Sequence, residues 1–488
     1  MVSRTALNSA IAVALLLVGL SVSAQEIPEP VDGLLDKWND ASVKSSPASS
    51  WSTEHADLER NVGYNVSLAV DPKTGDKYIS YYDGTNGDLW LARTGAPVGN
   101  CGYQDTWHCQ ALDTSGIVGK YSSIAVGGPG THAALYITYY DTTNHHLKIV
   151  QGLVDRQTGD FSYEIYWLYY GKEYGDPADW EFAGKSSAIV LDSSGRPHVA
   201  FQYENSDGFR HVIYATEVPA DTGNCGDGGI SNDWQCHDFE YFMVSPEFIS
   251  IDVDALGHPF IAFYREDTAR IGYAFYCDVD NQNICGNGGP GYDYWIGEIS
   301  GNKGKYMSVF VEDDGTPHMA YYNATTESLE YRIFRWAVPD DVYFIASVGS
   351  YGQPAGISIV HDGNGYPAIA YQDEDPVSGD LDLKIARPLA ATNWGAFGNC
   401  GPVNSSGFQT WLCETLRYGA PGGRQAYGGL SIAADGFGDL TVANREFLFP
   451  PDGSPAKGRL FAPSELRSGL FLDDFEYGDT SAWSSTLP

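Results

Sequence analysis

The chain alternates apolar and polar positions in short segments that return as one repeated unit. In each unit an alternating segment leads into a tight turn that ends in Gly, most often D-x-x-G, and then into a second alternating segment, as in LDSSGRPHVAFQY from Leu191 to Tyr203. Alternation with a period of two predicts β-strands that bury one face. The Asp accepts a hydrogen bond from the turn backbone, and the Gly adopts the left-handed conformation. Each unit therefore predicts a β-hairpin.

This unit occurs seven times along the chain. Its turn glycines are separated by 50 to 73 residues and are Gly75, Gly130, Gly195, Gly257, Gly315, Gly365 and Gly438. Two further alternating segments follow each of the first six hairpins, such as DLWLART and TWHCQALD after the first one. Four antiparallel strands per unit, repeated around an axis, predict an all-β fold, a seven-bladed β-propeller.

The seventh unit, residues 430–462, supplies three strands instead of four. The segment SWSTEHADLE, from Ser50 to Glu59, has the Trp and acidic spacing of the other fourth strands. We therefore predict that an N-terminal strand completes the last blade and closes the ring, which leaves no long free sheet edge. The predicted propeller spans residues 50–462.

The two ends of the chain have their own patterns. Arg4, the apolar run from Ala10 to Leu20 and small residues up to Ala24 predict a signal peptide over residues 1–24, and the run is too short to span a membrane. We expect a secreted protein, extracellular or periplasmic, without a membrane span. Residues 25–49 are predicted to be a linker and residues 463–488 a C-terminal tail.

The cysteines also point to an exported protein. Eight cysteines allow 105 pairings, and we favour the four sequential ones because each closes a local hairpin in an oxidising compartment. These pairs are Cys101 with Cys109, Cys225 with Cys236, Cys277 with Cys285, and Cys400 with Cys413. The pairs lack the C-x₂-C spacing of a zinc site.

Composition and charge limit the classes of partner. With 43% hydrophobic and 14% aromatic residues, the chain has enough material for a large packed core. Its formal net charge of −35 repels phosphate backbones, so we predict no nucleic acid partner. We expect a monomer whose partner is a glycan or a cell-surface protein.

The repeats resemble those of seven-bladed propellers of the sialidase-like and BNR-repeat type, from about Trp51 to Ala462. They read S-I-x-x-D-x-x-G-x-P, whereas a sialidase Asp box reads S-x-D-x-G-x-x-W, and no Arg-Ile-Pro stands near the start. The resemblance implies the fold and does not imply sialidase activity. Separately, the tail FLDDFEYGDTSAWSSTLP resembles endings such as DGFESGDTSAWS on secreted proteins of some Gram-negative bacteria, which imply no activity.

The first candidate site lies where the polypeptide enters the first strand of each blade. In a propeller this end, around the central channel, is the usual place for a ligand. The segments GKYSS, GKSSA, GKYMS, ERNVGYNVS and GGRQAYGGLS supply the predicted binding residues Arg60, Tyr64, Lys120, Tyr121, Lys185, Lys305, Tyr306, Arg424 and Tyr427. Cations that converge there would hold a carboxylate or a sulfate. Alternatively, each Lys pairs with an acid of a neighbouring blade.

The second candidate site is formed by the ends of the second strands, on the same face. The catalytic candidates, if the protein is an enzyme, are Asp83, Asp141, Glu204, Arg265, Asp373 and Arg445. Two carboxyl groups about 5–5.5 Å or about 6.5–9.5 Å apart would suit a retaining or an inverting glycosidase. The alternative is that these residues are solvated strand ends that bond between blades.

Other chemistry-bearing residues have structural explanations at this stage. The Ser that recurs in the first strands is explained by the narrow propeller axis, and His198 and His318 are interpreted as strand residues. His145 and His146 lie on the ligand face, but too few further ligands are near them. We predict no metal site and no cofactor, with Ca²⁺ in the acidic loops DVDNQN or DEDPVSGDLD as the alternative.

The leading hypothesis is a secreted binding module that recognises a glycan or a surface partner on its Tyr-, Lys- and Arg-lined channel face. Aromatic faces stack on sugar rings, and mixed polar groups orient hydroxyls. The alternatives are a carbohydrate-active enzyme, either a sialidase-like glycoside hydrolase or a uronate polysaccharide lyase, and a structural envelope protein. The repeat determines the architecture, and function must reside where the blades differ.

Overall fold

A computed structural model gives the structure of the chain. It describes residues 50–52, 54–57, 61–171, 181–226, 233–239, 246–276, 294–335, 340–348, 356–362, 365–374, 381–389, 398–405, 407–417, 429–448 and 457–466. These residues form seven antiparallel blades, which confirms the predicted all-β propeller. The predicted signal peptide, the linker and most of the tail lie outside the described residues.

The first three blades each contain four strands in chain order from the axis outward. Blade 1 consists of Tyr64–Val70, Lys77–Asp83, Asp88–Arg93 and His108–Asp113. Blade 2 consists of Val118–Gly127, His132–Asp141, His146–Asp155 and Phe161–Tyr169. Blade 3 consists of Phe182–Leu191, Pro197–Glu204, Arg210–Glu217 and Trp234–Phe239. A short 3₁₀ helix, Tyr103–Asp105, precedes the last strand of blade 1.

The next three blades repeat this order. Blade 4 consists of Pro246–Val253, Pro259–Arg265, Arg270–Tyr276 and Tyr294–Ile299. Blade 5 consists of Lys303–Val311, Pro317–Asn323, Ser328–Ile333 and Asp341–Ser347. Blade 6 consists of Ile357–His361, Pro367–Glu374, Leu381–Pro388 and Gln409–Arg417, with a fifth strand, Cys400–Val403, at its edge.

The seventh blade is built from both ends of the propeller. Its inner strands are Leu430–Ala434, Leu440–Leu448 and Lys457–Phe461, and its outer strand is His55–Asp57. The predicted closure by an N-terminal strand is therefore confirmed. A further pair, Ser50–Trp51 with Glu465–Leu466, extends the ordered pairing four residues past the predicted propeller end at 462.

The first strands line the axis, and each contacts the first strand of the next blade, including blade 7 against blade 1. A serine near the middle of these strands bonds from blade to blade. Ser67 Oγ accepts the Ile124 N–H at 3.1 Å, and Ser431 Oγ accepts the Leu68 N–H at 3.1 Å across the closure. The same bond is made by Ser123, Ser250, Ser308 and Ser358. Small serines fit the axis, as expected, and they also tie six of the seven blades to the next. In blade 3 the axial position is Ala188, and Ser186 Oγ accepts the Ile249 N–H of blade 4 at 3.3 Å instead.

Three of the predicted disulfides are present: Cys101–Cys109, Cys225–Cys236 and Cys400–Cys413. The Asn before the first Cys explains the recurring GNCG motif. Asn100 accepts the Cys109 N–H at 2.7 Å and donates to its carbonyl at 3.1 Å, and Asn224 and Asn399 hold Cys236 and Cys413 in the same way. The fourth predicted pair, Cys277 with Cys285, lies outside the described residues.

Candidate functional site

The starts of the first strands and the ends of the second strands meet at one end of the ring, which we call the channel face. Their pairing follows from the antiparallel register, in which Lys120 lies opposite Tyr140 and Lys305 lies opposite Tyr322. The D-x-x-G turns join the other ends of these two strands, which we call the turn face. The described members of both sets of predicted site residues therefore belong to the channel face.

The Gly of the Gly-Lys segments fits closely against the preceding blade. Gly119 has φ +98°, and a Cβ there would lie 2.7 Å from the Leu89 Cα. Gly304 has φ +106°, and its Cβ would lie 2.4 Å from Ile271 Cγ1. Both the backbone conformation and the space require glycine. This close packing fixes where the following Lys leaves the backbone.

Bulky aromatic residues adopt the left-handed conformation two positions before the axial serine. The φ angles are 55° for Tyr121, 51° for Phe248 and 54° for Tyr306. Gly429 occupies the equivalent position of blade 7 with φ 66°. In blades 2, 4 and 5 the pairing of first and second strands is interrupted at this point, as a β-bulge requires. Such conformations cost about 1–3 kcal/mol for non-glycine residues and cluster at binding sites.

The neighbouring blade supports this backbone. Ser187 Oγ donates to the Tyr121 carbonyl at 3.2 Å, and Ser122 Oγ donates to the Asn65 carbonyl, one blade earlier, at 3.0 Å. Asn65 also has a positive φ, 49°. A hydroxyl from the next blade thus bonds to the carbonyl of the left-handed residue. The bulges are repeated features of the fold.

The rings form two groups on the channel face. Phe248 and Tyr306 lie with their centroids 4.5 Å apart between blades 4 and 5. Tyr121 has 43% of its surface exposed and lies 6.4 Å from the Tyr140 ring in blade 2. Sequence reasoning identified Tyr121 and Tyr306 and missed Phe248, because blade 4 has no Gly-Lys. Counting two residues back from Ser250 would have found it.

The group around Tyr121 continues into blade 3. The Tyr140 hydroxyl and His145 Nδ1 form a hydrogen bond of 2.9 Å, and the His145 ring meets Phe182 edge-on at 4.7 Å. Burial raises the pKa of Tyr140, so its phenol keeps the proton at neutral pH. The sequence analysis singled out His145 only because it lies on the ligand face. In the structure it is an aromatic neighbour of this group.

The predicted lysines lie over aromatic rings. Lys120 Nζ is 5.7 Å from the Tyr82 centroid and Lys305 Nζ is 5.8 Å from the Tyr264 centroid, each ring belonging to the preceding blade. Both contacts lie within the range of cation–π attraction. The two positions are equivalent, so this arrangement occurs at the boundary of blades 1 and 2 and again at that of blades 4 and 5.

Lys185 has a different environment. Its Nζ lies 3.5 Å from the Phe182 centroid and 3.3 Å from Glu204 Oε2, an acid of its own blade. Burial lowers the pKa of Lys185, and the Glu204 carboxylate partly opposes this effect. Glu204 also accepts a hydrogen bond from Arg210 Nε at 2.9 Å. The candidate carboxylate of blade 3 is therefore held by two cations.

Asp83 and Asp141 cap the turns that follow their strands. Both are fully buried. Asp83 accepts the Thr85 N–H at 2.8 Å, and Asp141 accepts the Thr143 N–H at 2.9 Å. Each also accepts a side-chain amide proton, from Asn86 and Asn144, at 2.8 Å. These are Asx turns, in which the carboxylate oxygens already serve the backbone.

Arg265 and Asp373 take part in ion pairs at the ends of their strands. Arg265 contacts the Glu298 carboxylate and lies 3.1 Å from Asp267 Oδ2. Asp373 Oδ2 accepts a hydrogen bond from Lys384 Nζ at 2.5 Å. Both residues keep part of their surface exposed, at the positions where the sequence predicted them. Their catalytic role stays a prediction.

Arg445 is equivalent to Arg265 but is only 1% exposed. Its Nε donates to the Val62 carbonyl at 3.1 Å, and its Nη2 donates to Asn61 Oδ1 at 3.1 Å. Arg445 thus connects blade 7 with the segment that leads into blade 1. These two hydrogen bonds give Arg445 a structural role in the closure of the ring.

Four of the predicted binding residues have no described side chain. Arg60, Arg424 and Tyr427 lie outside the described residues, and Tyr64 is described only through its backbone, which begins the first strand of blade 1. The acidic loop DVDNQN also lies outside them, as does the middle of DEDPVSGDLD. For these residues the predictions stand as made.

No family profile and no curated protein sequence matches the chain. The chain is similar in structure to AofleA from Arthrobotrys oligospora, at 11% identity and a TM-score of 0.38, over 80% of this chain and 97% of that one. It is similar to the GH93 α-L-arabinofuranosidase of Fusarium graminearum, at 12% and 0.40, over 84% and 97%. It is also similar to the phage phi92 endosialidase, at 11% and 0.43, over 88% and 71%.

The strand order alone makes the chain a seven-bladed β-propeller. The comparisons add a likeness in fold to solved structures that include an endosialidase. At these identities and TM-scores the likeness concerns the fold alone. Among the described residues, no helix is long and apolar enough to cross a membrane.

Proposed function

We propose that this protein is a secreted binding module that recognises a glycan on its channel face. The observation that carries the proposal is the repeated left-handed aromatic residue, Tyr121, Phe248 and Tyr306. A fold gains no stability from bulky residues in this conformation, whereas a binding surface gains ring faces at fixed positions around an axis. The three disulfides and the predicted signal peptide support secretion.

The chemistry of the surface favours sugars with anionic groups. Aromatic faces stack on the C–H faces of sugar rings, and Tyr121 offers an exposed ring for this purpose. Lys120 and Lys305 place cations near the rings in a chain of net charge −35. A uronate carboxylate or a sulfate would pair with these ammonium groups. We propose such an anionic polysaccharide as the ligand class.

The state of the candidate carboxylates supports binding over hydrolysis. Asp83 and Asp141 hold turns from buried positions, and Glu204 is paired with two cations. A glycosidase needs two carboxyl groups that act on the substrate, whereas these carboxylates are already bonded to turn groups or to cations of the protein. We therefore favour a lectin-like module over a glycoside hydrolase.

The variant Tyr121→Gly tests this proposal. We expect at least tenfold weaker binding to the polysaccharide that the wild type selects on a glycan array, because about 1.4 kcal/mol of stacking is lost. We expect thermal stability to stay within about 1 kcal/mol of wild type, because glycine relieves the left-handed strain. Calorimetric titration and thermal unfolding of both proteins measure the two effects.

Tyr366→Phe provides the control, because Tyr366 follows a D-x-x-G turn on the turn face and removing its hydroxyl should leave binding unchanged. Equal losses of binding and stability in Tyr121→Gly would contradict the proposal. Mass spectrometry of each bound polysaccharide separates the alternatives. Cleaved products, with or without an unsaturated uronate, would make the protein an enzyme.

A further inference from the structure

A cluster of three metal-ligating groups lies on the turn face, between blades 5 and 6. It consists of Glu312, which begins the turn of blade 5, His318 in the second strand of that blade, and His361 at the end of the first strand of blade 6. Their ligand atoms all lie within 4.8 Å of one another. We propose that this cluster binds one Zn²⁺ ion.

His318 is oriented as a metal ligand requires. Its side chain is 1% exposed, and its Nδ1 lies 2.5 Å from the Tyr331 hydroxyl. A ligating His commonly donates its other ring N–H to a neighbouring group, which fixes the tautomer. When Nδ1 holds the proton, Nε2 presents its lone pair toward Glu312. Glu312 Oε1 lies 2.9 Å from this buried Nε2. Even so, Nε2 makes no hydrogen bond to any of the described residues.

The spacing of the cluster suits a tetrahedral ion. Glu312 Oε1 lies 2.9 Å from His318 Nε2 and 3.8 Å from His361 Nε2. Ligand atoms that are each about 2.0–2.1 Å from a tetrahedral zinc ion lie about 3.3 Å apart. The two distances bracket this value, so side-chain adjustments of about half an ångström would complete the site. Two imidazoles and one carboxylate favour zinc over Ca²⁺ or Mg²⁺, which prefer oxygen ligands.

Phe310 holds both imidazoles in place. Its ring centroid lies 4.5 Å from that of His318 and 3.7 Å from that of His361. This apolar surface restricts the rotation of the two rings and lowers the local dielectric. The ion would join a residue of blade 6 to two residues of blade 5. It would therefore clamp this blade boundary, with a fourth coordination position left for water.

Blade 3 contains a version of this cluster without its third member. His198 is buried, its Nδ1 lies 2.6 Å from the Tyr214 hydroxyl, and its Nε2 lies 3.5 Å from Asp192. These residues are equivalent to His318, Tyr331 and Glu312. The position equivalent to His361 is Val253 in blade 4. The repeat thus shows that His, Tyr and an acid occur together for structural reasons, and that His361 distinguishes the proposed site.

The test uses the mature protein stripped with EDTA and dialysed. We expect isothermal titration with Zn²⁺ to give one site per chain, and Co²⁺ to give the intense visible absorption of tetrahedral coordination. His361→Val, which introduces the residue of blade 4, should weaken Zn²⁺ binding at least tenfold and abolish the Co²⁺ spectrum. The control His198→Gln should bind like wild type. Zn²⁺ should raise the Tm of wild type and leave that of His361→Val unchanged.

Glu312→Gln supplies a second test that does not depend on the folding of the valine variant. It keeps the size of the side chain and should also weaken Zn²⁺ binding at least tenfold. Absence of stoichiometric Zn²⁺ binding to wild type at 1 mM would overturn the proposal. Undiminished binding to both variants would do so as well. Because the cluster lies on the turn face, its loss would leave glycan binding untouched.

Discussion

Arg445→Met is expected to lower the free energy of unfolding by about 2–5 kcal/mol. Methionine keeps much of the apolar stem but removes two hydrogen bonds, to the Val62 carbonyl and to Asn61. A buried carbonyl that loses its donor costs about 1–3 kcal/mol. These bonds join blade 7 to the segment before blade 1, so the loss falls on the closure of the ring. Urea unfolding followed by tryptophan fluorescence measures the effect.

Arg265→Met is the matched control, because Arg265 occupies the same position in blade 4. Its guanidinium stays partly exposed and pairs with acids near the strand end. Partly exposed ion pairs contribute about 0–1 kcal/mol, so we expect a loss of that size. Equal losses in the two variants would show that burial at the closure does not distinguish them.

Asp252→Asn is expected to stabilise the protein by roughly 2–4 kcal/mol at pH 8 and to have little effect at pH 4. Asp252 lies in the first strand of blade 4, where the equivalent positions include Ala69, Ala125 and Phe310. Burial raises the pKa of Asp252 to about 7, against hydrogen bonds from the Val311 and Val253 N–H groups. An asparagine keeps an acceptor for these bonds and carries no charge.

The direction of this effect follows from the raised pKa. The folded state binds the Asp252 proton more tightly than the unfolded state, whose pKa is about 3.9. This contribution to stability is complete below pH 4 and is lost as the pH rises to about 7. The difference between variant and wild type should therefore grow between pH 4 and pH 7 and then level off.

Thermal unfolding of both proteins from pH 4.5 to 8.5 measures this difference. Asp155→Asn is the control with the opposite shift, because the N–H groups of Thr158 and then Gln157 lower the pKa of Asp155. Its substitution should give no gain in stability at pH 8. A difference between Asp252→Asn and wild type that stays constant over this range would refute the assignment.

The sequence predicted the fold because the fold is carried by local patterns. Alternation, the D-x-x-G turn and the spacing of the units are properties of single hairpins, and the missing fourth strand of the last unit pointed to the N-terminal segment. The pairing of strands beyond residue 462 could not be predicted in this way. Glu465–Leu466 pair with Ser50–Trp51 far away in the chain, and two residues give no periodicity to detect.

The aligned units predict the strand positions of the candidate residues, but they do not predict the contacts of those residues. Aligned columns placed Asp83 and Arg445 on the channel face, but the columns do not show that one caps a turn and the other is buried at the closure. Phe248 was missed because only its distance from Ser250 marks it. The Glu312, His318 and His361 cluster was missed because its residues come from two blades, and a single repeat shows neighbours within one blade.

The serine bonds around the axis make the location of the chain ends unimportant to the ring. Leu68 receives from blade 7 the same contact that Ile124 receives from blade 1, although the strands of blade 7 come from the two ends of the propeller sequence. Ser50–Trp51 lie beside Glu465–Leu466, so a short linker could join them. A circular permutant opened at an exposed D-x-x-G turn would then keep every bond between blades. The propeller is thus a closed ring of blades, and its two sequence ends meet between the third and fourth strands of blade 7.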